Sequence, residues 1–314
     1  LYRPVERVVM SGETDGDADT QRTPADAFAL FSHDLRVEIL DALWAADSHA
    51  LPYAELKRRV GERDSGKFNY HLSQLVGQFV GKDGEAYELL YPGHRVIDAI
   101  HSGVLHQSGG VDPVALDADC RHCGTELTFT LDEYIGHVGC LACDDTVIAF
   151  PFDPGGVSGR TDEAVAVAFD RRTRLFWRFA VAGVCPVCAG VISAGLTTET
   201  GPELDSHYAT DHPVMLDIDC QQCSFYNYPP AAVVALYHPA VAGWLYDHGV
   251  DPRATRAWEL DFVVDPTLTT VRSRDPWEIA VTVTTASERL RATIDGTLSV
   301  TALERLPADA EGSL

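Results

Sequence analysis

Four C-x-x-C pairs constrain this chain more than any other feature: Cys120/Cys123, Cys140/Cys143, Cys185/Cys188 and Cys220/Cys223, which together hold all eight cysteines. Two such knuckles supply the four thiolates of a closed tetrahedral metal site, and the first two pairs stand at zinc-ribbon spacing. In a small secreted domain the same pairs would read as disulfides. In a chain of 314 residues, from whose opening residues no secretory leader is expected, they read as metal ligands.

The knuckles are of two types. Residues 113–123 (PVALDADCRHC) parallel residues 213–223 (PVMLDIDCQQC). The other two carry a glycine just before the first cysteine (Gly139, Gly183) and a Val-Ile pair soon after the second (Val147-Ile148, Val191-Ile192). The order along the chain is first type, second, second, first, so each site should take one knuckle of each type. Sequential pairing joins Cys120, Cys123, Cys140 and Cys143 in one site and Cys185, Cys188, Cys220 and Cys223 in the other. Crossed pairing joins the first pair to the third and the second to the fourth. Loop closure favours the sequential arrangement, by only about 0.6 kcal/mol per doubling of loop length, and both stay open at this point. The expected cofactor is zinc, two ions per chain. A shell of four thiolates is full and leaves no position for water, so the expected role is structural. Thiolate oxidation with metal release is the alternative, and His122 and His137 are the nearest substitute ligands.

The charge balance sets the surroundings. There are 47 acidic and 24 basic residues, a net charge of −23, and only Lys57, Lys67 and Lys82 are lysines. Such a balance suits a salty cytoplasm, where the Debye length shrinks to ~3 Å near 1 M and self-repulsion costs little. No run of 18 apolar residues occurs, so no membrane span is expected and the localisation expected is cytoplasmic.

Residues 1–23 read as a disordered acidic arm, with translation expected to start at Met10. From 24 to 106 the pattern is helical. Leu35, Ile39, Leu40, Leu43 and Trp44 make a 3.6-period face over 34–46. Pro52 opens a short helix through Arg59. Ser65 is a candidate N-cap for a helix over 66–79. Lys82-Asp83-Gly84 reads as a hairpin turn, and 93–105 as one more helix.

In the 66–79 helix Phe68, Leu72, Leu75, Val76 and Phe79 fall within about 100° of one another, the width of a core stripe. The other face offers Lys67, Tyr70, Ser73 and Gln74, with Asn69 and His71 on its flanks. Amide, hydroxyl and ammonium groups on an outer helix face suit a major groove. Residues 57–67 hold five basic side chains against two acidic ones, a local basic patch on an acidic chain. Arg58, Arg59, Lys82 and Arg95 are the candidate phosphate contacts. His71 reads as a packing residue and His33 as a cap or surface residue.

Phe31-Ser32-His33-Asp34-Leu35-Arg36-Val37-Glu38-Ile39-Leu40 resembles the opening helix of ArsR-like winged-helix regulators, and Tyr70-His71-Leu72-Ser73-Gln74-Leu75 resembles their recognition helix. The resemblance covers about residues 24–106. It implies sequence-specific binding of double-stranded DNA as a homodimer, with the helix at 93–105 a candidate dimer contact. The metal-sensing members of that family carry cysteines in the recognition unit; here none precedes Cys120. The cysteine-bearing extension resembles that of enlarged regulators of halophilic archaea.

Beyond residue 110 the segments 162–182, 230–237 and 239–248 read as helices. Period-two alternation over 258–264, 277–283 and 290–294 reads as three strands of a half-buried antiparallel sheet. The expected fold class is therefore α+β: an N-terminal winged helix-turn-helix (24–106), a central zinc-ribbon-like region with two four-cysteine sites (111–250) and a small C-terminal antiparallel β-sheet (255–306). The function expected is a DNA-binding transcription regulator. The alternatives are a zinc-ribbon interaction module of the transcription or RNA machinery and a redox- or ligand-responsive switch. No phosphate loop, nucleophile elbow or H-E-x-x-H is present, so an enzyme is not expected. A small-molecule effector could sit along 225–244, where core packing is the competing reading.

Overall fold

The computed structural model of the chain describes residues 23–199 and 212–307. The expected N-terminal arm and the start at Met10 lie outside the described residues. The chain divides into two compact units between Ala99 and Ile100, and each is described by itself.

The first unit holds α1 (Pro24–Ala29), α2 (Asp34–Trp44), α3 (Tyr53–Val60), α4 (Ser65–Leu75) and α5 (Tyr91–His101), with β1 (Ala50–Pro52), β2 (Val80–Asp83) and β3 (Ala86–Leu89). Local chemistry sets the helix starts. His33 caps α2 by accepting the Leu35 N–H on Nδ1 at 3.2 Å, and the Asp64 carboxylate caps α4 by accepting from Gly66 and Lys67. Gly61, at φ +79°, ends α3 in the left-handed conformation that a glycine adopts without a Cβ penalty. Between α3 and α4 only four residues intervene. The apolar faces of α2, α3 and α4 close over Leu35, Ile39, Leu43, Leu56, Phe68 and Leu75, each side chain worth about 1.5–3 kcal/mol when fully buried. Antiparallel β2 and β3 form a hairpin turning at Gly84-Glu85, and β1 pairs with the far side of β3.

Four details depart from the sequence reading. The cap of α4 is Asp64 rather than Ser65. The helix stops at Leu75, because Val76 is extended and Gly77 takes φ +93°. Phe79 still reaches the core, whereas Val76 is left 37% exposed. Trp44, expected on the core face of α2, is 42% exposed in its last turn. Pro52 is the N-cap of α3 rather than its first residue and ends β1, a strand too short to show any period.

In the second unit β4 (Gly109–Asp119), β5 (Glu126–Glu133), β6 (Ile135–Cys140) and β7 (Asp145–Pro151) form an antiparallel meander. Helix α6 (Asp162–Val181), capped by Thr161, packs against β4 and against β8 (Ile192–Thr197). A second sheet has the order β10-β9-β8, with β9 at Met215–Cys220 and β10 at Tyr226–Asn227. Then come α7 (Val233–Leu236), α8 (Pro239–Asp247), α9 (Asp261–Val264) and a second meander of β11 (Thr269–Arg274), β12 (Trp277–Thr284), β13 (Glu288–Asp295) and β14 (Val300–Pro307). Among the described residues no helix is long and apolar enough to cross a membrane.

One hydrophobic core runs through this unit, from Val114 on β4 through Phe169 and Trp177 on α6 to Ile294 on β13. The change of period near residue 255 therefore marks no break in packing. A buried polar tie reinforces the continuity. Asp170 on α6 accepts the Ala257 N–H at 2.8 Å, and Arg174 donates to the carbonyls of Thr255 and Pro252. The stretch over 258–264, expected as a strand, is instead a 3-10 turn at Ala257–Glu259 followed by α9. Glu259 accepts the Arg256 backbone N–H at 2.9 Å and its Nη1 at 2.8 Å, and Trp258, Leu260, Phe262 and Val263 are all buried. Asp261 is exposed and Glu259 half-buried, so burial alternates here without a strand; over so short a run a period of two does not decide the backbone.

Candidate metal centres and nucleic-acid interface

Each knuckle is a tight hairpin held by its own backbone. Cys120 N–H donates to Thr125 O and Gly124 N–H to Cys120 O, both at 2.8 Å; Cys185 and Ala189 repeat the pattern, and Cys220 donates to Phe225 O. The residue after the second cysteine often needs a left-handed backbone: Gly124 sits at φ +71°, but Asp144 and Ala189 adopt φ +60° with a side chain present. At the second cluster backbone N–H groups point at sulfur, Val187 to Cys185, Gly190 to Cys188 and Gln222 to Cys220, at 3.3–3.4 Å. Donors aimed at sulfur favour the thiolate.

The sulfurs gather in two sets of four, Cys120, Cys123, Cys140 and Cys143 in one and Cys185, Cys188, Cys220 and Cys223 in the other, all within 4.8 Å of one another in each set. The structure thus has the sequential pairing and overturns the crossed one. Nearest approaches are 3.6 Å for Cys120–Cys143, 3.4 Å for Cys123–Cys140, 3.6 Å for Cys185–Cys223 and 3.5 Å for Cys188–Cys220. A disulfide would need ~2.05 Å. A tetrahedral tetrathiolate with metal–sulfur bonds near 2.3 Å sets its sulfurs about 3.8 Å apart, so the residues fit a bound metal ion. Neither His122 nor His137 belongs to a cluster; His122 faces Asp145 at 3.6 Å.

Acid–base chemistry points the same way. Hydrogen bonds from Thr125 and then Cys140 lower the Cys123 thiol to about 6, while desolvation and the neighbouring sulfurs raise Cys143 to about 12. In the second set Cys220, against its desolvation, is lowered to about 6 by the amides of Gln222 and Cys223. Cys223, despite the Phe225 amide, is raised to about 12 by desolvation and the other three sulfurs. Four sulfurs this close cannot all ionise unless a cation sits among them.

The two clusters are built from the same knuckles in opposite order. At the first, β4–β5 carries the first-type knuckle and β6–β7 the second, and β5 pairs with β6. At the second, the second-type knuckle comes first, closed by a Val184–Val191 bridge and leading into β8, which pairs with β9 of the first-type hairpin. The seams differ accordingly: β5 of the first-type hairpin meets β6 of the second type at the first cluster, and β8 of the second type meets β9 of the first type at the second.

The candidate DNA contacts all lie in the first unit. Lys67, Asn69, Tyr70 and Ser73 are exposed on α4, with Gln74 half-buried beside them, opposite buried Phe68, His71, Leu72 and Leu75. Ser73 Oγ donates to the Tyr70 carbonyl. Arg58 and Arg59 project from α3, Lys82 from β2 and Arg95 from α5. Most of these cations have local partners. Glu55 holds both Arg58 (2.6 Å) and Arg59 (3.0 Å), and their hydrogen bonds bring its carboxyl down to about 2. Lys67 pairs with Glu62 at 3.1 Å, Arg95 with Asp98 at 3.1 Å, and Lys82 lies 5.6 Å over the Tyr87 ring.

Two residues were not singled out in the sequence as contacts. Arg63, counted only within the basic patch over 57–67, is exposed in the α3–α4 turn and makes no side-chain ion pair with any described residue. Arg36 donates Nε to His71 Nδ1 at 3.2 Å and Nη1 to Leu30 O, and the rings of His33 and His71 stack at 3.8 Å. His71 is thus a buried packing residue.

Residues 225–244 go mainly to the core, with Val233, Val234, Leu236, Val241 and Trp244 buried. Asn227, Tyr228 and Pro229 also line a cleft with Trp177, Met215 and Val263.

No curated protein and no solved structure matches the chain. Residues 24–100 match a family model described as Domain of unknown function (DUF7347). A second model, matching residues 117–300 and so more than half of the chain, places this protein in the family described as Domain of unknown function (DUF7351).

Proposed function

We propose that this protein is a sequence-specific, double-stranded-DNA-binding transcription regulator in which α3, its four-residue turn and α4 act as a helix-turn-helix and the β2–β3 hairpin as the wing. The observation that carries the reading is the outer face of α4, where Lys67, Asn69, Tyr70 and Ser73 are exposed and the helix itself carries no acidic residue. Asn69 and Gln74 offer amide pairs suited to adenine, and Lys67 a donor suited to guanine. Arg58, Arg59, Arg63, Lys82 and Arg95 set register on phosphates. The two four-cysteine clusters hold zinc, one ion each, whose part is to fix the knuckles; no catalytic step belongs to this reading. The protein acts as a homodimer in the cytoplasm, and the cleft beside Trp177 is where a small effector would enter.

The test is selection of duplexes from a random pool in molar potassium chloride, followed by anisotropy titration of selected and scrambled duplexes. Gln74→Ala and Lys67→Ala should each cost about 1–3 kcal/mol on the selected duplex and relax base preference. If no duplex is enriched, or if both variants keep affinity and preference, α4 does not read a groove. Elemental analysis should find two zinc ions per chain.

A second reading is favoured by the knuckle tips. Leu141 is 67% and Val187 54% exposed, each between the two cysteines of a pair, which suits ribbons that dock a protein partner. A chain that enriches no duplex would leave this reading in place.

A further inference from the structure

The C-terminal meander has one blunted edge and one open edge. Along β11 the register slips between Val271 and Ser273, with Arg272 at the slip and Arg274 just beyond it, devices that keep an edge strand from pairing. At the other edge β14 runs eight residues, paired with β13 from Pro307 on Glu288 to Val300 on Ile294, with one slip at Thr293/Ile294. Thr301 to Arg305 are exposed on both faces, Leu303 among them. In an antiparallel ladder alternate N–H and C=O groups point away from the neighbouring strand. Those of β14 find no backbone partner among the described residues.

We propose that β14 is a dimerisation edge, pairing antiparallel with β14 of a second copy of this chain so that two four-stranded sheets become one of eight. The strand's own sequence carries the choice of partner. Opposed residues in an antiparallel ladder share a face, and a two-fold axis normal to the sheet preserves faces, so one residue must oppose its own copy. Centring on Glu304 or Arg305 sets like charges against each other, which destabilises a ladder. Centring on Leu303 opposes Leu303 with itself, Ala302 with Glu304, Thr301 with Arg305 and Val300 with Leu306, and no like charges meet. Leu303 stands across from Ala292 of β13, on the face of buried Leu290 and Ile294, so the two leucines extend that apolar surface. Glu304 keeps its ion pair with Arg291 at 3.2 Å. Pairing β14 with β11 of another copy would be head-to-tail and build an open chain, against the slip and arginines of β11. This contact is independent of α5 and of DNA binding.

Size-exclusion chromatography with light scattering, on the full metal-loaded chain at tens of micromolar, tests it. The mass expected is that of two chains of 34.2 kDa. Leu303→Asp, which opposes two carboxylates at the axis, should halve the mass while metal content and circular dichroism stay unchanged. Thr301→Glu provides a gain that misfolding cannot imitate: opposite Arg305 of the partner copy it should tighten the dimer about fivefold at the lowest salt at which the chain stays folded, and Thr301→Lys should weaken it similarly. A wild-type mass of one chain, a dimer that survives Leu303→Asp, or equal affinities for the two Thr301 variants would each overturn the proposal.

Discussion

Glu55 shows how a single acidic residue tempers a basic patch. It engages Arg58 and Arg59 together, and both guanidiniums are candidate phosphate contacts. Glu55→Gln keeps the size of the side chain and removes the charge that competes with phosphate. The expected outcome is tighter binding to selected and scrambled duplexes alike and a salt dependence steeper by about one phosphate, read by anisotropy across potassium chloride. Unchanged affinity for both would show that neither arginine reaches DNA. Deeper in the protein Arg174 behaves differently. It faces Asp170 at 3.6 Å, with side-chain exposures of 13% and 5%. Arg174→Ala leaves a buried carboxylate without its cation and should cost about 3–5 kcal/mol in a denaturant titration. A cost under about 1 kcal/mol, the range of surface pairs, would mean that the pair is solvated. At this scale the eight cysteines of the two candidate metal clusters were legible, because cysteine spacing is itself the chemical requirement. The i,i+3 and i,i+4 pairing of Glu55 with its arginines was open to the same kind of reading. Lys67–Glu62 was not, since it depends on the path of a turn.

Between elements, the contact of α2 with α4 runs through two imidazoles that both accept hydrogen bonds. His33 Nδ1 takes the Leu35 N–H, and His71 Nδ1 takes Arg36 Nε. Burial, then His33, Arg36 and Lys67, lower His71 below its ordinary 6.5, against a small opposing pull from Glu62. The unfolded chain therefore binds a proton at His71 more readily than the folded one. Its contribution to stability is complete above 6.5 and is lost as pH falls through the lowered folded value. Amide exchange in α2 and α4, corrected for intrinsic rates, should show protection falling as pH drops below 6.5, and His71→Leu should flatten that fall. A variant with the wild-type slope would place the titrating group elsewhere. Helix α2 was readable from its 3.6-residue period and α6 from the length of its apolar segment. The end of α4 was not: Val76 and Phe79 fit the helical stripe, and only the backbone at Gly77 decides against it. The 258–264 turn was misread because its burial does alternate, with Asp261 exposed between buried Leu260 and Phe262, although the backbone turns. Strand β14, exposed on both faces, had no alternation to display.

At the scale of the whole molecule, both four-cysteine clusters fall in one of the two compact units. The first unit contains none of the eight cysteines and has its own core of Ile39, Leu40, Leu56, Phe68 and Leu75. In the second unit both clusters and the C-terminal meander share one core: α6 packs against β4 and β8, the strands that lead into and out of knuckles, and the same buried set continues to Val281, Ala292 and Ile294. Binding of a structural metal is coupled to folding, so its free energy belongs to whatever folds with the site. Removing the metals with a chelator should therefore unfold more than the knuckles. Hydrogen exchange on the stripped chain should lose protection in β4–β7, in β8–β10 and also in β11–β14, which binds no metal, while α2 and α4 keep theirs. Cys140→Ser should remove one metal ion, leave the cluster of Cys185, Cys188, Cys220 and Cys223 loaded, and give an intermediate loss that still reaches β12 and β13 through α6. If β11–β14 stays protected in the stripped chain, the continuous core is continuous in packing only, and the C-terminal meander folds without its metal-bearing neighbours.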